Sequence, residues 1–338
     1  MPVRLLQLLL TRASGGFILA FHEISPPRVA EFVDALRPAQ VVPLSELVRR
    51  IGQHKSTSGL FAITVDDGVG DNVRALARLF IAREWPATFY LPTAYIDTAE
   101  GMAFQWWRSL EPLLPRRRIE LKSGVIDLSG PGAVDELTKK MEVRWHSEHL
   151  KSYLPMTMEL ADLIVQEMGV TRDAISPPAP ISWPEVTELA RMDLICFESH
   201  GVSHTAMSAL SAEDIEFEMR HSRDLVTEHT GRPCRHLAYP FGSRESIGMR
   251  AAAEAARFYD SAATMSLGHV DFASPWLLPR IPLYPENSTL LARVKILLKC
   301  STFAVPKSAP VMECPEYASA GRSIEEQAGA IGENVPSV

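Results

Sequence analysis

Short apolar runs recur along the chain at residues 17–21, 40–44, 61–65, 88–91, 194–197, 236–239, 258–262 and 277–283. Each is too short for a buried helix and has the length of a strand. Segments with helical periodicity separate several of them, which is the alternation of an α/β fold built on a parallel sheet. The clearest helix begins at Ser211. Its hydroxyl is placed to cap, Asp214 supplies a carboxylate at the third helical position, and Ile215, Met219, Ser222 and Val226 then share one face. Ser182 with Glu185 gives a second capping signal, opening a helix through Val186 and Leu189.

The interval 101–180 breaks this rhythm. It holds Trp106, Trp107, the basic run 116–118 and a Pro-rich end at 176–180, and it reads as a mainly helical insertion between strands. From about 308 to 338 the apolar pattern fades into Gly, Ser, Glu and Pro, the composition of a disordered tail. Residues 1–15 read as a short amphipathic segment, because only six apolar or amide residues separate Arg4 from Arg12, fewer than a secretory signal needs. The expected organisation is therefore an N-terminal segment (1–15), one α/β domain (16–307) and the tail (308–338).

Composition narrows the partners. With 46% hydrophobic and 22% charged residues the chain has ordinary globular statistics, and a net charge of −7 with pI near 5.8 argues against nucleic acid as a partner. Cys196, Cys234, Cys300 and Cys314 form no CxxC pair, so neither a zinc ribbon nor a redox motif is indicated, and no oxidising compartment is required. No stretch approaches the roughly 18 uninterrupted apolar residues of a membrane span. A cytoplasmic location is expected, with peripheral membrane contact through Arg4 and Arg12 as the one membrane association the sequence suggests.

Candidate chemistry gathers where strands end, the position that barrel-like α/β folds use for catalysis. The run 61–65 ends in Asp66-Asp67-Gly68, the run 194–197 ends in Glu198-Ser-His200-Gly-Val-Ser-His204, and residues 17–21 end in His22. Adjacent carboxylates leaving a strand point in different directions, so one can ligate a metal while the other faces substrate. Two histidines and an aspartate form a hard and borderline ligand set with positions left open for water, which suits metal-assisted hydrolysis. Each piece has an ordinary alternative: Asp-Asp-Gly is also turn chemistry, and a His-x3-His pair arises by chance.

The order of motifs is more specific than any of its parts. Thr64-Val-Asp-Asp-Gly68 is followed by His200-Gly-Val-Ser-His204, then Leu237-Ala-Tyr-Pro-Phe-Gly242, then Leu278-Pro-Arg-Ile281. This resembles the polysaccharide deacetylase family, also called the chitooligosaccharide deacetylase homology domain, over roughly residues 22–284. The resemblance implies a distorted (β/α) barrel of about seven parallel strands and removal of an acetyl group from an N-acetylated sugar. Carried over by position, Asp66 is the general base, and Asp67, His200 and His204 hold one divalent ion, zinc first, with manganese, cobalt or nickel as alternatives. The backbone N–H of Phe241 stabilises the oxyanion, and Tyr239 in the same motif is a candidate substrate contact.

Departures from the family pattern matter. Ala238 stands where many members have an Arg that orients the base, and Phe241 where a Tyr is usual, so Arg280 of the later Leu-Pro-Arg becomes the candidate partner for Asp66. The late apolar-His motif that supplies the acid is missing. His22, in an N-terminal aromatic-His pair, is the candidate acid, with His269 as substitute. Trp106 and Trp107 are candidates for a sugar-stacking platform. The expected substrate is a glycan or glycolipid containing N-acetylhexosamine. The alternatives are a catalytically silent glycan-binding protein on the same scaffold and a related metal amidohydrolase or O-deacetylase.

Overall fold

The structure is a computed structural model and describes residues 15–98, 101–146, 148, 150–270 and 274–300. The expected N-terminal segment with Arg4 and Arg12, and the expected tail from 308, lie outside the described residues. Among the described residues no helix is long and apolar enough to cross a membrane.

The strands are β1 (Phe17–Phe21), β2 (Gln40–Val41), β3 (Leu60–Val65), β4 (Ala87–Leu91), β5 (Arg118–Leu121), β6 (Gly124–Asp127), β7 (Ile195–Ser199), β8 (His236–Ala238), β9 (Ser261–Ala263) and β10 (Ile281–Pro282). Seven of them run parallel in the order β10-β1-β3-β4-β7-β8-β9, with the two-residue β2 also pairing with β3. A parallel bridge from Ala263 to Leu278 ties the far strand to the segment that leads into β10, so the sheet curls into a half-barrel. The expected barrel of about seven strands is present. Three expected runs are shorter as strands: Leu44 already begins a helix, Phe258 ends one, and Pro275–Leu277 forms a 3-10 turn before β10.

Strand side chains alternate between the two faces of a sheet, and here the two sets go to different places. Phe17, Leu19, Phe21, Phe61, Ile63, Val65, Phe89, Leu91, Phe197 and Leu237 join the large core against the helices. Ile18, Ala62, Tyr90, Ala238, Ala263 and Leu278 form a small cluster on the opposite, inward face. Counting in twos along the inward rows gives Ile18-Ala20-His22, Ala62-Thr64-Asp66, Glu198-His200 and Leu278-Arg280. The lumen is apolar where side chains are small, and its rows end in the residues singled out for chemistry.

Both capped helices form as expected. Ser211 Oγ accepts the Asp214 N–H at 3.1 Å and opens the helix Ala212–Thr230, which buries Ile215, Met219, Ser222 and Val226. Ser182 and Glu185 make a reciprocal capping box at the start of Trp183–Leu189. The insertion contains the helices Ala103–Leu110, Ala133–Trp145 and Leu154–Met168. It also contains an antiparallel hairpin of β5 and β6 that the helical reading missed. The insertion has its own core, centred on Trp107, Leu110, Ile119 and Leu160.

One inward residue, two positions before His200 in its row, is bonded instead to the start of the next strand. Glu198 is buried in β7 and accepts the N–H groups of Arg235 and His236, both at 2.8 Å. Burial outweighs those bonds and pushes its carboxyl up to about 8. Between its ordinary range and pH 8 the folded chain therefore holds a proton that the unfolded chain has released, so this group lowers stability as pH rises, by at most about 1.4 kcal/mol per pH unit. Glu198→Gln should flatten that part of the curve relative to wild type. Chemical denaturation at a series of pH values from 5 to 8 checks it, and parallel curves for the two proteins would refute the assignment.

Candidate active site

Asp66 and Asp67 leave β3 in opposite senses because Asp67 takes a left-handed backbone, φ +72, followed by Gly68 at φ +64. A Cβ on Gly68 would come within 3.0 Å of Leu91 Cδ2, so a side chain there would be both strained and crowded. Asp66 continues the inward row into the lumen, where Arg280 meets it with a two-pronged bond, Nη1 to Oδ1 at 2.7 Å and Nη2 to Oδ2 at 2.8 Å. The guanidinium also donates to the Thr264 carbonyl at 3.0 Å and to Thr64 Oγ1 at 3.2 Å, and both charged groups are buried. Burial alone would raise the Asp66 pKa, but Arg280, His200 and His22 together reverse it and hold the carboxyl below its ordinary range. The pairing expected between Arg280 and Asp66 is present.

On the other side of Asp66 lies a cluster of three. Asp67 Oδ1 is 3.3 Å from His204 Nε2 and 3.7 Å from His200 Nε2, and ligand atoms of all three residues fall within 4.8 Å of one another. His200 is oriented by its far nitrogen, Nδ1, 2.8 Å from the Ala238 carbonyl, which leaves the Nε2 lone pair directed at the cluster. Burial holds the His200 imidazole down to about 4, neutral and able to ligate. Burial opposes ionisation of Asp67 too, yet the histidines win and its carboxyl sits well below the usual range. Asp67 Oδ1 is buried and makes no hydrogen bond that satisfies it. A buried, ionised, unsatisfied oxygen facing two imidazole nitrogens is what a divalent ion would complete.

A cavity of about 220 Å³ opens over this group. His22, Tyr239, Phe241 and Met265 contribute from the barrel, and Phe104, Arg108, Glu142, Trp145 and His146 from the insertion. His22 Nε2 lies 3.8 Å from Asp66 Oδ2, and its Nδ1 makes no hydrogen bond. His269 does not line the cavity. Phe241 sits in a tight turn closed by Gly242 N–H to the Pro240 carbonyl at 2.7 Å, with φ +60. No hydrogen bond to the Phe241 N–H occurs among the described residues. The Phe241 ring lies against His146 (4.5 Å), His204 (4.9 Å) and Phe104 (6.4 Å).

The tryptophan platform is a correction. Trp106 and Trp107 are buried in the insertion's core, Trp107 Nε1 donating to Thr138 Oγ1 at 3.0 Å, and neither lines the cavity. A ring enclosed on both faces has none to offer a sugar. The insertion instead presents the neighbouring helix face, Phe104 and Arg108, and the end of the second helix, Glu142, Trp145 and His146. Their i, i+4 and i, i+3, i+4 spacings were the only available signal.

The sequence profile of polysaccharide deacetylases matches residues 53–258. The chain belongs to the polysaccharide deacetylase family. This family consists of hydrolases acting on acetyl groups, and the match extends across the strands that carry Asp66, Asp67, His200, His204 and Phe241. Solved structures with the same fold include a polysaccharide deacetylase from Bacillus cereus, 14% identical, TM-score 0.52, matched over 83% of this chain and 69% of that one. Another is the Streptococcus pyogenes deacetylase PplD in complex with acetate, 14% identical, TM-score 0.51, over 85% of this chain and 97% of that one. A third is IcaB from Ammonifex degensii, 15% identical, TM-score 0.52, over 84% and 97%. At these identities the likeness establishes the fold. No protein of curated function matches the chain in sequence.

Removing Arg280 leaves a buried carboxylate without its partner, so Arg280→Met should destabilise the protein by about 3–5 kcal/mol. Denaturant unfolding of variant and wild type measures this. A loss below 1 kcal/mol would mean that the pair is not the buried anchor described here.

Proposed function

We propose that the chain removes N-acetyl groups from an N-acetylhexosamine-containing glycan or glycolipid, with one divalent ion, zinc by preference, held by Asp67, His200 and His204. The observation that carries this reading is that one cavity wall joins an Arg-anchored, ionised Asp66 to a buried Asp/His/His cluster. A glycan-binding module has no use for such a pair, since burying a carboxylate that must be countered by a buried Arg costs more than an apolar lining would. When bound, the ion supplies polarisation of the acetyl carbonyl and acidification of the attacking water.

The chain's own residues supply the rest. Asp66 is held ionised and fixed by Arg280, and it accepts the proton of the water that adds to the acetyl carbon. The Phe241 N–H, which makes no hydrogen bond among the described residues, is the candidate donor to the oxyanion as it forms. The C–N bond then breaks, and the departing nitrogen needs a proton because an amine does not leave as an anion. His22, beside Asp66 and lining the cavity, is positioned to donate it. Acetate and a free amine on the sugar are the products. The large insertion wall around the cavity makes recognition of the sugar depend on the cavity-lining Phe104, Arg108, Glu142, Trp145 and His146 rather than on Trp106 and Trp107, which do not line it.

Two variants separate the roles. Asp66→Asn should retain the ion while turnover of an N-acetylated sugar falls by about 10²–10⁴, the usual worth of a general base. It should also lose stability, because Arg280 keeps its charge without a full counterpart, so rates are compared well below the melting transition. Near-normal turnover would remove Asp66 from the base role. His22→Ala should keep the ion and show a similar loss with an amide substrate, but a smaller one with an activated acetyl ester, whose leaving group needs no proton. Equal losses for amide and ester would exclude His22 as the acid.

A further inference from the structure

The helix Ala212–Thr230 carries a buried carboxylate on the side facing the barrel. Glu218 is 5% exposed, and no part of the mechanism above uses it. Its Oε2 accepts the N–H of Val202 at 2.6 Å and of Ser203 at 2.9 Å, and its Oε1 accepts the Ser203 hydroxyl at 2.5 Å. These are the two peptide groups midway between His200 and His204.

Several other backbone groups of this loop are bonded too. His200 N–H donates to the Leu91 carbonyl, and Gly201 N–H donates to Ser199 Oγ. The carbonyls of Gly201 and Val202 accept the N–H groups of Thr93 and Ala94, and the Ser203 carbonyl accepts the Tyr95 hydroxyl. The loop is thus gripped from two sides, at its carbonyls by the 3-10 turn Thr93–Tyr95 that follows β4 and at its N–H groups by Glu218. A buried N–H left without an acceptor costs about 1–3 kcal/mol, and a charged acceptor makes the shorter, stronger bond. The grip has a steric side as well. Gly201 stands at φ +76, and a Cβ there would lie 3.0 Å from Glu218 Oε2. His204 itself is held at φ +53, a conformation that persists only where its surroundings enforce it.

We propose that Glu218 is a positioning residue for the metal-holding pair: by binding the Val202 and Ser203 peptide groups, it fixes the loop that sets where His200 and His204 present their Nε2 atoms. This rests on the reading of Asp67, His200 and His204 as metal ligands. The carboxylate form is essential to the role. A glutamine at 218 offers one acceptor oxygen, uncharged, for the two N–H groups, and its NH2 group replaces the oxygen that accepts the Ser203 hydroxyl, which must then turn away.

The test uses the full chain in two measurements. Hydrogen exchange, followed by mass spectrometry on peptides spanning 199–206, reports on the loop in metal-free protein. Zinc affinity by competition with a chelating dye reports on the ligand geometry. In Glu218→Gln, exchange at Val202 and Ser203 should quicken at least tenfold, and the zinc Kd should weaken by about 10–100-fold, the usual effect of losing an outer partner of a metal site. Ser203→Ala, which deletes the hydroxyl contacts to Glu218 and to Thr205 Oγ1 but leaves both N–H bonds to Glu218, should show the same two changes at a few-fold. Glu213→Gln, on the exposed first turn of the same helix, should show neither. A folded Glu218→Gln with unchanged exchange and unchanged zinc Kd overturns the proposal. If that variant does not fold, an unchanged Ser203→Ala overturns it instead. Wild-type protein that binds no divalent ion refutes the metal reading itself, and the exchange difference then judges separately whether Glu218 holds the loop.

Discussion

Arg280 brings a full charge into a barrel lumen whose other inward residues include Ile18, Ala62, Ala238 and Leu278, and Asp66 is what makes that burial tolerable. The dependence is mutual. Without the guanidinium, Asp66 would lose the largest influence opposing the burial that favours its protonated form, and a protonated carboxyl accepts no proton from water. The two-pronged geometry also fixes direction as well as charge, and Thr64 and Thr264 hold the guanidinium from behind. Asp66 is in turn the shared neighbour of the other chemical groups, with His22 and His200 at 3.8 and 3.9 Å from its Oδ2. Ala238 accommodates this arrangement, because its small side chain leaves room in the lumen.

Around that pair, the backbone is held in unusual conformations at the residues nearest the chemistry. Asp67, His204 and Phe241 all have positive φ, and none is glycine. Such conformations cost of order 1–3 kcal/mol each and require surroundings that enforce them. The enforcement comes from two directions. Buried polar contacts secure the loop below, and an aromatic cluster packs from above, with Phe104 5.3 Å from His204 and both Phe104 and His146 against Phe241. Since Phe104 and His146 belong to the insertion, that segment is more than an ornament on the barrel. It walls the cavity and presses on a metal-ligand candidate and on the turn that carries Phe241.

Much of this was readable in advance, for identifiable reasons. Parallel strands declared themselves as short apolar runs, and the chemistry declared itself by standing two residues beyond the last inward position of β1 and β3 and at the end of β7. The Arg280–Asp66 pair followed from family resemblance plus a vacancy, Ala238, in the usual place. What escaped was decided by packing between distant segments. Trp106 and Trp107 are indistinguishable by type from a sugar platform, and only the placement of Thr138, Leu160 and their neighbours shows that they are core. The hairpin Arg118–Leu121 with Gly124–Asp127 is half-polar and turns at Lys122-Ser123, which carries little of the usual turn signature. Glu218 looked like any acidic residue on a helix, because its partners lie sixteen residues away in a loop whose N–H groups leave no trace in sequence.

In the proposed reaction, Asp66 works beside an ion held by Asp67, His200 and His204 to hydrolyse an N-acetyl group. The most direct measurement is acetate release by wild-type protein from a panel of N-acetylated and O-acetylated oligosaccharides, before chelation, after it, and after stepwise return of zinc. Acetate should be released from an N-acetylated member of the panel, the release should be lost on chelation, and it should recover and saturate near one zinc per chain. Undiminished release from the metal-free protein would contradict that reaction.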